Sequence, residues 1–171
     1  MGSYCKSNFK IIRVTPTVST DAYAVNDVFF TATEIPNAVI GNGGCSRLLG
    51  MYAIDQSSQD FDATFVFSEG NTALGTINAT ADISDSDIEG LNVTGLAKLD
   101  QDQSGTFSAI DNSRIHQVMP STVTDENSNP VQLLQAADDS TSVYVSGLIV
   151  NGTPTFAAAD DLDLIFHIEY R

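Results

Sequence analysis

The sequence predicts an all-β fold, an antiparallel two-sheet sandwich that is jelly-roll-like, with about eight strands and one short helix. Several segments alternate apolar and polar residues, which is the period of a half-buried strand. Polar segments with side chains suited to turns separate these strands. One segment alone carries helix signals. The chain has no tryptophan and no suitably spaced cysteine pair, which disfavours an immunoglobulin-type sandwich.

Residues 46–68 carry the strongest strand pattern, and we expect the rest of the sheet to form around them. Two apolar runs, 48–54 and 61–67, flank the polar connection 55–60 and are predicted to pair as a hairpin. Both alternate sets of the first run are largely apolar, so that strand is expected to be central and covered on both sides. The second run presents one apolar face, formed by Phe61, Ala63, Phe65 and Phe67.

The remaining elements follow from weaker signals of the same kind. Strands are predicted at residues 9–15, 22–33, 74–81, 91–99, 141–150 and 161–170, and residues 131–137 return to apolar character. The step at Asn26 predicts a bulge or a turn, and Asn151-Gly152 predicts the turn of a hairpin. The helix is predicted at residues 82–90, where Ser84 caps the first turn and Gly90 closes the last.

Acidic residues dominate the composition, 22 against 7 basic residues, which gives a formal charge of −15. Such a chain is repelled by phosphate backbones, so we expect no nucleic-acid partner. Lys6, Lys10 and Arg13 precede the first acidic residue, Asp21. Residues 1–20 are therefore either a basic arm that docks on an acidic neighbour, such as another copy, or a solvated first strand. Residues 21–171 are predicted to form a single sandwich domain.

Membrane and cysteine chemistry have little support in the sequence. No apolar run approaches the roughly 18 to 20 residues that cross a bilayer, so no membrane partner is expected. Cys5 and Cys45 are forty positions apart and lack both a CxxC neighbour and a nearby histidine. They are interpreted as structural or free thiols, and a disulfide between them is left open.

Residues 100–111, DQDQSGTFSAID, match part of a calcium-binding loop. A glycine occupies the sixth position, but Asp111 stands where a longer glutamate normally binds bidentately, and the flanks lack the helical pattern of such sites. The segment is therefore either a polar hairpin tip or a calcium or magnesium loop within a β framework. If metal binds, the ligands are Asp100, Asp102, Ser104, Asp111 and the carbonyl of Thr106.

Catalysis is not predicted. The two histidines, His116 and His167, have no partner at metal-pair spacing, and no GxSxG nucleophile turn exists. Each is interpreted as a surface histidine or a satisfied one. The many carboxylates do not by themselves exclude a glycosidase-like pair, but the aromatic platforms typical of sugar sites are not evident.

Two stretches, SRLLGMYAIDQSSQDFDATFVFSEG and AAADDLDLIFHIEY, carry a family resemblance. In them the chain resembles small virion structural proteins of tailed bacteriophages, especially those of marine and cyanobacterial hosts, and the resemblance extends over about residues 11–170. It implies a non-enzymatic capsid decoration or cement protein without a cofactor, commonly a homotrimer. The implied partner is the major capsid protein, and the implied location is the outer capsid surface of a virion assembled in the host cytoplasm. The basic opening residues would clip onto the capsid or a neighbouring subunit.

Two alternatives remain open at this stage. The chain could belong to the neck, tail or baseplate of the virion, where β-sandwich modules also occur. It could instead be a sugar- or calcium-binding jelly-roll module, for which exposed aromatic side chains and an occupied loop at residues 100–111 would be diagnostic.

Overall fold

The computed structural model describes residues 8–102, 106–118 and 132–171. These residues form ten strands and one helix, so the predicted all-β sandwich is confirmed with more strands than the eight expected. The elements are β1 (Phe9–Val14), β2 (Val28–Ile35), β3 (Cys45–Asp55), β4 (Phe61–Ser68), α1 (Asp85–Leu91), β5 (Val93–Leu99), β6 (Thr106–Ile110), β7 (Ser113–Val118), β8 (Gln132–Gln135), β9 (Val143–Gly152) and β10 (Leu162–Tyr170).

The strands form two antiparallel sheets with jelly-roll connectivity. The six-stranded sheet has the order β1-β10-β3-β7-β6, with β8 also paired to β3, and the four-stranded sheet has the order β2-β9-β4-β5. The chain pairs as if one long hairpin had been folded over, with each strand pair lying inside the previous one in sequence. Successive pairs belong alternately to the six-stranded and the four-stranded sheet: β1·β10, β2·β9, β3·β8 and β4·β5. β1 belongs to the six-stranded sheet and is an edge strand, so residues 9–14 follow the first-strand alternative, while residues 1–7 lie outside the described residues.

The predicted hairpin at residues 46–68 is wrong. β3 pairs with β10, β7 and β8, whereas β4 pairs with β9 and β5 in the other sheet. Residues 56–60 cross between the sheets, and the buried carboxylate of Asp55 accepts the backbone N–H groups of Ser57 and Gln59 in this crossing. The physical reason is that each strand has an apolar face, and two apolar faces are buried best when the strands face each other across a core.

The core lies between the two sheets. All four residues of the predicted apolar face of β4 are buried, which confirms that face. Phe67 of the four-stranded sheet meets Phe166 of the six-stranded sheet edge to face, with ring centroids 6.1 Å apart. Tyr23, Phe29 and Phe156 form an aromatic cluster in the same core. Aromatic side chains of this size dominate the energetics of such a core.

A β-bulge in β3 changes which residues face the core. The pairing of β10 with β3 shifts register between His167 and Ile168, so that Leu49 has no partner in β10. Leu48 and Met51 are therefore both buried, while Leu49 is exposed. The expectation that this strand is covered on both sides is wrong, because its outer residues are only half-buried.

Four local predictions have mixed outcomes. Ser84 caps α1 and accepts the backbone N–H of Asp87, as predicted, but the helix ends at Asn92 in the left-handed conformation instead of at Gly90. Residues 74–81 form isolated bridges and no strand. Asn151-Gly152 lies within β9 and makes no hairpin turn, because its partners are residues of β4. The turn at Asn26 is confirmed, with a φ of 72°.

Candidate interaction surface

The two sheets differ in how their outer faces are covered. Residues 74–91, which include α1, lie over the outer side of the four-stranded sheet. They enclose a second small core in which Val28, Val66, Leu74 and Leu91 are buried. Among the described residues no comparable segment lies over the outer side of the six-stranded sheet.

Strand register defines this uncovered surface, which we call the open face. Directly opposed residues of antiparallel strands point to the same side. The pairing of β1, β10, β3 and β7 therefore aligns rows such as Ile11–His167 and Ile165–Tyr52–Gln117 on the side away from the core. The open face consists of Phe9, Ile11, Arg13, Arg47, Tyr52, Ile54, Phe107, Ile115, Gln117, Leu133, Asp163, Ile165, His167 and Glu169, with Arg171 at its margin.

The centre of the open face is apolar. Tyr52, Ile54, Ile115 and Ile165 are half-buried, and Ile11 on the edge strand is 66% exposed. The ring of Tyr52 leans towards the ring of His167, with centroids 5.2 Å apart. A contiguous apolar patch on a strongly charged chain is typical of a surface that contacts another molecule.

One corner of the open face is built on Asp163, whose side chain is almost fully buried although it lies on the outer side of β10. Arg13 Nη2 donates to Asp163 Oδ2, Thr15 Oγ1 donates to Oδ1 at 2.6 Å, and Gln56 Nε2 donates to Oδ2 at 3.2 Å. The hydrogen bond from Arg13 lowers the pKa of Asp163 and outweighs burial, which acts in the opposite direction. The corner therefore fixes the guanidinium of Arg13 on the surface.

Basic residues surround the apolar centre. Arg47 and Arg171 lie 3.8 and 3.7 Å from the carboxylate of Glu169. With Arg13 and Asp163, the face holds three cations and two anions. In the described part of the chain only Lys98 on β5 is a lysine or arginine of the four-stranded sheet. The open face is thus locally basic in a molecule that carries a formal charge of −15.

Two of the predicted partner-binding residues belong to this region. Arg13 lies on the open face itself, and Lys10 is exposed on the edge strand beside it. Lys6 lies outside the described residues. The prediction that these basic residues bind a partner stays a prediction, but two of them now lie beside an uncovered apolar surface.

Four of the five predicted metal ligands belong to the described residues. Asp100 and Asp102 follow β5, and the backbone N–H of Asp102 donates to Asp100 Oδ1 at 3.1 Å. Thr106 begins β6, and Asp111 follows the end of that strand. Five residues of strand span about 17 Å, so Thr106 and Asp111 lie at opposite ends of β6, and the metal site stays a prediction. Ser104 lies outside the described residues.

Other polar features offer no evident chemistry. In the residues that the structure describes, no three histidine, cysteine, aspartate or glutamate side chains lie where they could hold a metal ion. A cleft of about 550 Å³ between β5 and β8 is lined by Glu69, Asn92, Val93, Thr94, Leu133 and Gln135. It contains one carboxylate, which hydrogen-bonds to Asn92 at 3.1 Å. Cys45 is an exposed free thiol, and Cys5 is outside the described residues.

The two histidines occupy opposite sides of the six-stranded sheet. His167 is half-buried on the open face, in agreement with its interpretation as a surface histidine. His116 is fully buried in β7, beside the ring of Phe61 at 5.9 Å between centroids. Burial lowers the pKa of His116 to about 4, and the nearby charge of Arg114 acts in the same direction. His116 is therefore a neutral core residue at neutral pH.

Several residues of the open face were not identified from the sequence. Arg47 and Tyr52 gave no signal on their own, because their role depends on being paired with β10. The alternation of residues 161–170 does place Ile165 and His167 together on the outward side of β10. Ile165, an apolar residue on the outward side, was the one local indication in the sequence that this side of β10 is more than a polar, solvent-facing surface.

Comparisons with known proteins give no match to a family model, a curated protein or a solved structure. Within the described residues, no helix is long and apolar enough to span a membrane. Jelly-roll sandwiches carry many unrelated functions, so the fold alone does not indicate a function, and the function is inferred from the surface of this chain.

Proposed function

We propose that this chain is a non-enzymatic structural protein of a bacteriophage virion, and that it acts as a capsid decoration or cement protein on the outer surface of the head. The observation that carries the proposal is the open face, an uncovered apolar sheet surface with a basic margin. Extended apolar surfaces of this kind are typical of protein contacts. A structural subunit needs such a contact surface and needs no catalytic group.

The charge distribution supports a position outside the shell. A protein with a formal charge of −15 is repelled by packaged DNA, and its acidic surface keeps it well solvated on an exterior. The proposed partner is the major capsid protein, and the proposed oligomer is a homotrimer. The family resemblance of residues 11–170 supports the same context.

The sandwich itself suits an exterior module. The two sheets enclose one core of aromatic and aliphatic side chains. A second, smaller core covers the outer face of the four-stranded sheet. This leaves the open face as an apolar surface that a docking partner can bury. Burial of apolar area is the main favourable term in protein association.

The test is co-sedimentation with heads of the encoding phage that were assembled without this protein. We expect the wild-type protein to bind the heads and to saturate them. Ile11→Ser removes an exposed apolar side chain from the open face and should weaken binding. Val150→Ser is the matched control, since Val150 is comparably exposed on the four-stranded sheet and should leave binding unchanged.

The outcomes separate the alternatives. Binding to purified tails or necks instead of heads would favour another position in the virion. Binding to neither, together with a change in stability when a chelator removes calcium, would favour the calcium-binding module through Asp100 and Asp102. Equal binding by the wild type and Ile11→Ser would exclude the open face as the contact surface.

A further inference from the structure

We infer that the open face binds the acidic α1 segment of a second copy of this chain. The inference rests on the proposed function, because it takes the chain to be a subunit of an assembly, and it identifies which two surfaces join neighbouring subunits. The α1 contact uses the β3 side of the open face, around Arg47 and Tyr52, and leaves the β1 edge with Ile11 to the head. Both surfaces are on one molecule, so copies of this chain alone can form the contact.

The α1 segment is acidic and unusually free of compensating charge. Asp82, Asp85, Asp87 and Glu89 are all exposed, and no lysine or arginine occurs between residues 70 and 97. Of the ion pairs in the described part of the chain, none involves these four side chains. Ile88 lies among them and is 45% exposed. The segment therefore presents one apolar side chain surrounded by carboxylates.

This pattern is complementary to the open face. An apolar side chain with an acidic margin fits an apolar centre with a basic margin, so that Ile88 would lie near Tyr52 and Ile165 while Glu89 approaches Arg47 of the neighbour. Complementary charge of this kind selects partner and orientation more than it adds affinity. Packing two open faces together would oppose basic margins, which disfavours a symmetric face-to-face dimer.

The two surfaces lie on opposite sides of the sandwich. The open face is the outer side of the six-stranded sheet, and α1 lies on the outer side of the four-stranded sheet. The contact is therefore heterologous and joins copies head to tail. Such contacts close into a ring when the rotation between copies permits it, and otherwise continue as an open series.

Sedimentation velocity over a range of protein concentrations tests the contact. We expect concentration-dependent association that weakens as salt is raised, because both margins are solvent-accessible and screened within about 8 Å at physiological ionic strength. Arg47→Glu on the open face and Glu89→Lys on α1 should each weaken association about tenfold. A lysine near the end of a helix is favourable, so Glu89→Lys should preserve α1.

Mixing the two variants gives the sharpest readout. Glutamate at position 47 of one variant meets lysine at position 89 of the other, and the reciprocal contact keeps the original pair, so contacts between unlike variants should form with the wild-type affinity. A ring of three cannot alternate two variants, so recovery is measured as association of the two variants with each other in pairs or even-numbered assemblies. Lys98→Glu makes the same kind of charge reversal on the four-stranded sheet and should leave association unchanged. Ile88→Ser tests the apolar part of the contact without any change of charge.

Each result decides for or against the inference. The inference is wrong if both charge reversals leave association unchanged, or if Lys98→Glu weakens association as much as Arg47→Glu does. It is also wrong if the protein is a monomer at all concentrations. A mixture that fails to recover, while each variant retains the thermal unfolding of the wild type, would also overturn it. Head binding is measured separately, so a chain that self-associates but ignores heads would overturn the proposed function and leave this contact standing.

Discussion

His116 should make the free energy of unfolding depend on pH in a way that one substitution removes. The imidazole is fully buried in β7 next to Phe61. Burial is the main cause that lowers its pKa from 6.5 to about 4, Arg114 lowers it further, and Asp60 partly opposes them. In the unfolded chain the ring regains its ordinary pKa. Protonation therefore favours the unfolded state.

The magnitude follows from the two pKa values. Between pH 6.5 and 4 the unfolded chain binds more protons than the folded one, so stability falls as the pH falls. The cost is negligible well above pH 6.5. It reaches about 2 kcal/mol at pH 5 and about 3 kcal/mol below pH 4, since each pKa unit corresponds to about 1.4 kcal/mol.

The assay is urea denaturation of the wild type and of His116→Gln at pH 7.5 and pH 5. Glutamine does not titrate, so the variant retains the pH dependence of every other group and loses only that of His116. We expect the wild type to lose about 2 kcal/mol more than the variant on going to pH 5. Equal losses, or a ring-proton titration of folded His116 near pH 6.5 by NMR, would refute the reasoning.

Three further substitutions test the fold and the corner of the open face. Asp163→Asn should lower the free energy of unfolding by about 1 kcal/mol at pH 7, a small value because Arg13 is 60% exposed and solvent screens its charge. Since the folded pKa of Asp163 is lowered, the carboxylate stabilises the fold above pH 3.8, and this stability is lost as the pH falls further. Urea denaturation across that pH range checks both statements. Ser84→Ala removes the cap of α1 and should lower the unfolding free energy by about 1 kcal/mol in a thermal melt. Gly147→Ala brings a Cβ within 2.5 Å of the ring of Phe30 and should cost about 1 to 3 kcal/mol; an unchanged midpoint in the same melt would mean that the ring moves aside freely.

The fold class was predictable from the sequence because alternation is a local signal. Phe65 and Phe67 are buried as their spacing predicts, and Ser84 caps the helix as its residue type predicts. Strand pairing was not predictable in the same way. Residues 46–68 look like a hairpin because they are adjacent in sequence, but their apolar faces are buried better across the core than side by side.

The candidate site was harder to predict from the sequence than the fold, because it depends on the register between strands that are distant in sequence. Arg47 faces Glu169 and Tyr52 faces Ile165 only when β3 pairs with β10 and a bulge shifts the register near Gly50. No local pattern encodes that shift. Arg13, by contrast, was identified from the charge pattern alone, although its role in burying Asp163 needed the structure.

Cryo-electron microscopy of heads saturated with this protein tests the central proposal most directly. We expect repeated sandwich-shaped density on the outside of the shell, and no such density on heads that lack the protein. The density should have reduced occupancy for Ile11→Ser and full occupancy for Val150→Ser. Density confined to the neck or tail would contradict the decoration role. A shell that stays bare at saturating concentration would contradict it as well.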